Sequence, residues 1–564
     1  MDDVDSVQAQ IARNMLQSDD WVTARLDGIK YLEKAPLWYW LIAAGFKTLG
    51  VADWVARIPV VLSIVLLCWC AMRAGKWAAG ERTGFYAGLI LATSTGMYLF
   101  TRILIPDVCL TLAITVSLWG FLRAIDQSEP HPRWWAAISA ASIGVGILLK
   151  GLIAAVFPIG ICLVFLLLTG LWKDRVALRR LHIPAGILIV LIVATPWHVL
   201  ATLRNPPHFV WTMHSGPGEY KGFFWFYFFN EHLLRFLNLR FPRDYNTVPR
   251  FWFWALHIVW LFPWSLFLPG VFRLSYRGRD RPSRFRLLSL VWIGFVLIFF
   301  TFSTTQEYYS MPCYPAFAFL IASGLAADSE RDGFQWSSWG LRSAGTISAL
   351  CCVACAIILW QSLKYSAPGD ISRALTQHPD AYTLSLGHMG DLTLASFAYL
   401  RIPLALASVA FAVGAVGVFS LRSRSAYLAL AAMMALFFQA ANRAMVAFDP
   451  YLSSRTLANA LLHSPPGDLI LGDQYYTFSS VIFYTNRQAL LLNGRVNNLE
   501  YGSNEPRAPN VFINDDNFQR LWSSPKRFYL LAEKPMVARL AVLVGPEQLH
   551  TVAESGGKYL LSNE

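Results

Sequence analysis

Long apolar runs separated by short polar loops fill the first 446 residues of this 564-residue chain. A run of about 20 apolar residues is the length that crosses the hydrocarbon of a bilayer as a helix. Such runs lie near residues 54 to 72, 84 to 101, 108 to 125, 134 to 149, 152 to 171, 183 to 202, 251 to 272, 287 to 303, 309 to 327, 343 to 362, 402 to 420 and 426 to 445. They predict a mainly α, polytopic membrane protein with about 12 transmembrane helices. After residue 446 the pattern changes. Short β-rich runs (Asp468 to Gly472, Ala489 to Asn493, Arg527 to Ala532, His550 to Ala553, Lys558 to Ser562) alternate with helix-like stretches such as Lys534 to Val544, as in a small soluble α/β domain. Three units follow: residues 1–51, a first external loop with amphipathic helices and an acidic motif; residues 52–446, the transmembrane domain; and residues 447–564, an external α/β domain.

Charge gives the runs a direction. Alternate loops carry Arg73, Lys76 and Arg82; Arg123 and Arg133; Lys173, Arg175, Arg179 and Arg180; Arg273 through Arg286; Arg331 and Arg342; and Arg422 and Arg424. Positive loops stay in the cytoplasm, so the other loops and the C-terminal domain are expected outside. The hydrophilic opening MDDVDSVQAQ would then be exported with no apolar helix before it, which leads to the expectation that a first transmembrane helix precedes this sequence. A net charge of +12 would suggest nucleic acid in a soluble protein, but here the basic residues sit in short loops between apolar runs, and nucleic acid is excluded as a partner. The eight cysteines lie in or beside apolar runs without zinc-finger spacing and read as small packing residues.

Candidate chemistry gathers in the external loops. Asp2, Asp3 and Asp5 precede AQIARNMLQSDDW, whose spacing suits an amphipathic helix lying at the interface; carboxylates there also serve as ordinary caps. In DGIKYLEKAPLWYWL, Glu33 and Lys34 stand before a proline and an aromatic run at headgroup level. Asp107, in RILIPDVCL, lies between two apolar spans, where a carboxylate is costly without a partner or a task; Arg102 is its nearest candidate partner. Lys150, in GILLKGLIAA, is a lone cation in a long apolar stretch, suited to meeting a phosphate or to snorkelling.

The order of these pieces resembles a family. An acidic opening, AQIARNML, QSDDW, DGIKYLEKAPLWYW, RILIPD and LLKG, followed by NEHLLRFL, FWFWALHIVWLFPWSLFLP and STTQEYYSMPCYPAFAFL, is similar to the ArnT-like bacterial branch of the protein O-mannosyltransferase superfamily, over roughly the first 330 residues. The resemblance implies a GT-C glycosyltransferase of the inner membrane, with active site and C-terminal domain facing the periplasm. It would move a sugar from a polyprenyl-phosphate donor to a lipid A-like glycolipid, a glycan or a protein, with inversion.

Carried over position by position, Asp3 or Asp5 together with Asp107 would flank the reaction centre. Lys34, Lys150, Arg102, Arg235, Tyr308 and Tyr309 would hold the substrate and its phosphate. The family's acidic pair reads D-D-V-D here: counting back from Arg13 sets Asp5 on its glutamate and Val4 on its aspartate. Glu33 and His232 correspond to residues associated with a bound zinc, although two protein ligands are too few for a closed structural site. Residues 214–229, HSGPGEYKGFFWFYFF, look like an insertion serving as a lid or acceptor element. The chemistry agrees with the resemblance: departure of a polyprenyl phosphate needs a cationic cradle, and the acceptor needs a carboxylate for its proton. The competing class, a multi-helix transporter or flippase of lipid-linked substrates, is weakened by spans nearly free of charge and by the absence of an internal repeat.

Overall fold

The computed structural model describes residues 1–243, 247–328, 336–376, 390–421 and 424–564; Arg331 and Arg422 of the expected cytoplasmic loops lie outside the described residues. Among the described residues nine helices are long and apolar enough to cross a bilayer: Asp53–Ala79, Asp107–Ile125, Pro132–Lys150, Arg175–Arg204, Arg281–Thr301, Glu307–Asp328, Trp336–Ser362, Ser396–Ser420 and Arg424–Leu452. A tenth crossing results if Arg250–Trp260 and Trp264–Arg273, bent by 100°, count as one span. Among the described residues the count of twelve is therefore not confirmed, although every expected run is helical. The run at 152 to 171 is a helix of 17 residues, Ile153–Thr169. That at 84 to 101 divides into Glu81–Thr93 and Thr95–Phe100, with extended backbone at Ser94.

Two of these interruptions support each other. Pro263 cannot donate a backbone hydrogen bond, and the chain turns sharply there. The Phe262 carbonyl beside it accepts the Thr95 N–H at 3.2 Å and the Thr95 hydroxyl at 3.1 Å, while the Trp264 indole donates to Thr93 Oγ1 at 2.9 Å. Broken helices are tolerated at membrane depth when the freed polar groups find protein partners, and here each break satisfies the other.

The first loop forms helix α1 (Asp3–Ser18), a two-residue hairpin β1 (Arg25–Leu26) and β2 (Ile29–Lys30), and helix α2 (Leu37–Leu49). Asp2 caps α1 by accepting the Asp5 N–H at 2.7 Å. The apolar face of α1, with Val7, Ile11 and Met15 buried, packs on α2 and on the C-terminal helix Ser479–Thr485. The expectation of an interfacial helix is corrected accordingly: protein, not lipid, covers this face.

In the C-terminal region the strands β3 (Asp468–Gly472), β4 (Ala489–Leu492), β5 (Phe512–Ile513), β6 (Phe528–Glu533), β7 (His550–Ser555) and β8 (Lys558–Ser562) form one sheet in the order β5-β4-β3-β6-β8-β7. β3 is parallel to β4 and β6, with Ile470 opposite Leu490 and Leu530; β8 runs antiparallel to β6 and β7. Leucine-rich parallel strands are buried on both faces, as β3 and β6 are, so their sequences read as short continuous apolar runs.

This domain is clamped to the first loop. The Asp3 carboxylate receives Lys558 Nζ at 2.6 Å, the Ser480 N–H at 2.9 Å and hydroxyl at 2.6 Å, and the Ser454 hydroxyl at 2.9 Å. Gly502 lies against β2 so closely that a Cβ would come within 2.0 Å of the Lys30 carbonyl oxygen.

Candidate active site

Four spans end at one place. Asp107 opens Asp107–Ile125, Lys150 closes Pro132–Lys150, Phe299 and Phe300 stand at the end of Arg281–Thr301, and Tyr308 and Tyr309 at the start of Glu307–Asp328. Together with the first loop and the C-terminal domain they line a cavity of about 370 Å³. Lys34, Glu33, Glu231, His232 and Arg235 also face it. Of the residues singled out in the sequence, Lys34, Asp107, Lys150, Arg235, Tyr308, Tyr309, Glu33 and His232 thus meet in one cavity.

The charges there are paired in a definite way. Lys150 Nζ donates to Asp107 Oδ1 and lies 5.4 and 5.2 Å from the ring centres of Tyr308 and Tyr309. Arg235 donates to Glu231 Oε2 at 2.9 Å and to the Tyr309 hydroxyl at 2.9 Å. Arg240, buried behind the cavity, donates to Glu231 Oε1 and reaches Glu33 Oε1 at 3.1 Å. Lys34 Nζ is 3.8 Å from Glu33 Oε2. Burial would raise the carboxyl pKa of Glu231, but Arg240 and Arg235 outweigh burial and hold it down at about 2. Arg240 was not anticipated from the sequence, because it lies beyond the EHLLRF segment with no pattern of its own.

Lys150 reaches the cavity because the next residue is glycine. Gly151 has φ +102°, which ends the helix at once, and a Cβ there would meet His232 Nε2 at 2.2 Å. His232 Nδ1 donates to the Tyr227 carbonyl at 2.6 Å, and Nε2 accepts the Leu152 N–H at 3.1 Å. Burial keeps its pKa below the ordinary value, consistent with a neutral ring that accepts at Nε2.

Both ring nitrogens are therefore used to build the turn. Glu33 is engaged by Arg240, Lys34 and Tyr31, and among the described residues no group of three His, Cys, Asp or Glu side chains could hold a metal ion. The residues do not fit the zinc associated with Glu33 and His232.

Asp3, Asp5 and Arg102 are not brought to the cavity. Asp3 is held by Lys558 and the serines of the C-terminal domain. Asp5 accepts from Arg57 at 2.5 Å and from the Leu104 N–H at 2.7 Å, and Arg57 also donates to the Arg102 carbonyl at 2.5 Å. This ties down the strand of chain leading to Asp107. Arg102 itself, expected beside Asp107, donates to the Tyr98 hydroxyl at 2.8 Å; Lys150 is the partner instead.

The α1 residues that do face the cavity are Val4 and Gln8, four apart and so on one side of the helix, with Asp3 and Asp5 turned about 100° to either side of Val4. The segment 214–229 is not a free lid throughout: Phe223, Trp225, Phe226 and Tyr227 are buried, Phe226 stacks on Tyr501 at 3.9 Å, and the Tyr501 hydroxyl accepts the Lys221 N–H at 2.9 Å.

The family model of the dolichyl-phosphate-mannose-protein mannosyltransferases matches residues 33–199. A crystal structure of ArnT from Cupriavidus metallidurans bound to undecaprenyl phosphate superposes with a TM-score of 0.79 at 22% identity, covering 100% of this chain and 93% of that one. The fold is the ArnT fold. The resemblance to ArnT-like GT-C proteins drawn from the motifs is borne out, and the protein is a multi-span membrane protein. The apo ArnT structure from the same organism gives a TM-score of 0.76.

Among proteins similar in sequence, the undecaprenyl phosphate-alpha-4-amino-4-deoxy-L-arabinose arabinosyl transferases of Pectobacterium carotovorum and Pectobacterium atrosepticum are 28% and 30% identical over 359 and 345 residues. These alignments cover 61% and 59% of this chain, and the chain spans 59% and 56% of those ArnT-like relatives.

Proposed function

We propose that this protein is a membrane glycosyltransferase of the bacterial inner membrane that moves a sugar from a polyprenyl-phosphate donor to an acceptor, a lipid A-like glycolipid, a glycan or a protein, with its cavity facing the periplasm. The observation that carries this reading is the meeting of Lys34, Lys150, Arg235 and Asp107 in one cavity at the ends of four spans. The names of the arabinosyl transferase relatives and the lipid bound to ArnT support the donor class; the basic loops at the other ends of the spans support the orientation.

In the transfer the acceptor oxygen bonds to the anomeric carbon as the bond from that carbon to the phosphate oxygen breaks, inverting the centre. Asp107 takes the acceptor proton. Lys34, Lys150 and Arg235 stabilise the charge that collects on the departing polyprenyl phosphate, in a site where the Phe299 and Phe300 rings lower the local dielectric. Arg240 matters indirectly: by bonding Glu33 and Glu231, it keeps these carboxylates from cancelling the cations beside them. Asp3 and Asp5 hold the first loop and the approach to Asp107 and take no proton.

The test is release of free polyprenyl phosphate by purified wild type, Asp107→Asn and Lys34→Ala from a panel of lipid-linked sugars, with lipid A as acceptor. Turnover of one donor by wild type and its loss in both variants supports the reading. Folded wild type that consumes no donor, or variants as active as wild type, would overturn the site assignment and reopen the transporter reading.

A further inference from the structure

The wall of the cavity contributed by the C-terminal domain is chemically unlike the rest. Tyr476 follows β3 and Asn498 follows β4, and both line the cavity beside Tyr31 of the first loop. Asn498 Nδ2 donates to the Tyr476 hydroxyl at 2.6 Å, the Tyr476 and Tyr31 hydroxyls are 3.1 Å apart, and the Tyr31 hydroxyl donates to Glu33 Oε2 at 3.2 Å. Since Tyr31 donates to Glu33, its oxygen accepts from Tyr476, whose oxygen accepts from Asn498. The chain of donors is thereby directed and the three side chains are held in place. None of the three carries a formal charge, in contrast to the lysines and arginine elsewhere in the cavity.

The position of the two residues in their own domain points the same way. β3 and β4 are adjacent parallel strands, and the turns Tyr475–Phe478 and Asn497–Leu499 lie just beyond their carboxyl ends. In open α/β sheets that is the edge at which ligands are bound. Here the edge is pressed against the mouth of the membrane domain. The clamp made by Asp3 with Lys558, and by Gly502 against β2, fixes it there.

We infer that Tyr476 and Asn498 form a sugar-reading wall, with the C-terminal domain supplying hydrogen bonds and an aromatic ring to the hydroxyls of a pyranose or furanose ring in the cavity. Neutral hydroxyl and amide groups suit sugar hydroxyls as cations suit phosphate. A site built to hydrogen-bond a substrate hydroxyl discriminates strongly against an analogue that lacks it. The inference rests on the glycosyltransferase reading and deepens it: sugar choice becomes a property of the C-terminal domain, whereas phosphate binding belongs to the membrane domain. The ring could belong to the donor or to the acceptor, and both present the same hydroxyl chemistry.

The experiment uses the full-length protein in detergent and the variants Tyr476→Phe and Asn498→Ala. Three quantities are measured: affinity for bare undecaprenyl phosphate, affinity for the same lipid carrying 4-amino-4-deoxyarabinose, glucose or mannose, and KM for lipid A. Each variant is expected to weaken one sugar-dependent quantity about fivefold to tenfold, the effect of one hydrogen bond, with bare-lipid affinity unchanged. A loss confined to the sugar-charged lipid assigns the wall to the donor; a loss confined to KM assigns it to the acceptor. The inference is overturned if folded variants match wild type in both, or if bare-lipid affinity falls equally, which is the mark of a purely structural role. Should Tyr476→Phe fail to fold, Asn498→Ala, at a half-buried position, decides alone. Wild type that binds neither lipid would count against the glycosyltransferase reading itself, a result distinct from failure of the wall.

Discussion

Lys150 and Asp107, 43 residues apart in sequence, form an ion pair in which the last residue of one span donates to the first residue of another. Each is costly alone near hydrocarbon, and each makes the other tolerable. The pair also unites the two halves of the proposed chemistry, a cation for phosphate and a carboxylate for a proton.

Asp107→Asn keeps the shape of the side chain and removes its basicity. Loss of general-base action should lower kcat by about 10²- to 10⁴-fold. Binding of bare undecaprenyl phosphate should be retained or tightened, because the Lys150 ammonium no longer answers a carboxylate. Parallel measurement of kcat and lipid affinity checks both; a fall in affinity with kcat unchanged would assign Asp107 to positioning only.

Gly151→Ala should disturb the same pair from the other side. The new methyl group would occupy a left-handed turn and press on His232 Nε2. A cost of about 1–3 kcal/mol is expected from the backbone strain. Displacement of Lys150 should weaken lipid binding as well. Thermal unfolding in detergent and lipid affinity read the two effects, and adding His232→Ala should recover part of the loss, giving a coupling energy between the two positions.

Asp3 and Lys558 are both buried, and removal of one partner strands the other. Asp3→Ala should destabilise by about 3–5 kcal/mol and expose the junction of the C-terminal domain to protease. Replacing both residues with apolar side chains of similar volume should recover only part of this, because the Ser454 and Ser480 donors stay buried without their acceptor. The folded fraction of Asp3→Ala should keep its general base, Asp107, so that any loss falls on sugar-dependent binding and turnover is retained at saturating substrate. A stable Asp3→Ala protein without turnover would instead make Asp3 part of the chemistry.

Asp27, in the β1–β2 turn, has its pKa pushed up to about 7 by burial, offset only in part by the Ala489 N–H at 3.3 Å. The folded state therefore holds a proton that the unfolded chain releases near pH 4. Stability from this group is present below that pH and is lost as pH rises through about 7, at a slope of up to about 1.4 kcal/mol per pH unit. Asp2, raised to about 7 chiefly by burial, acts in the same direction. Unfolding measured from pH 4 to 8 should show this decline, and Asp27→Asn should make it shallower; an unchanged slope would mean that Asp27 is charged in the folded protein.

Much of this protein was legible in the residue order. The positions of the helices, the basic loops and the strands of the C-terminal sheet follow from local periodicity and composition, which act over one span at a time. Asp107 and Lys150 were legible for a related reason, since a charge at the end of an apolar run is conspicuous against its neighbours; Lys34 stood out before a proline and an aromatic run, and Arg235, Tyr308 and Tyr309 were legible only through the resemblance of their motifs to the ArnT-like family. Only the tertiary structure decided which of them meet and which protein groups they pair with. The rotation of α1 about its own axis turns Val4 and Gln8, rather than Asp3 and Asp5, toward the cavity. The docking of the C-terminal domain brings in Tyr476 and Asn498 and takes Asp3 for itself. Arg240 and His232 acquire their roles from carboxylates and a turn far away in sequence. Such assignments depend on the packing of surfaces from distant segments, and no local pattern encodes them, because a hydrogen bond is satisfied equally well by any partner that the fold carries within reach.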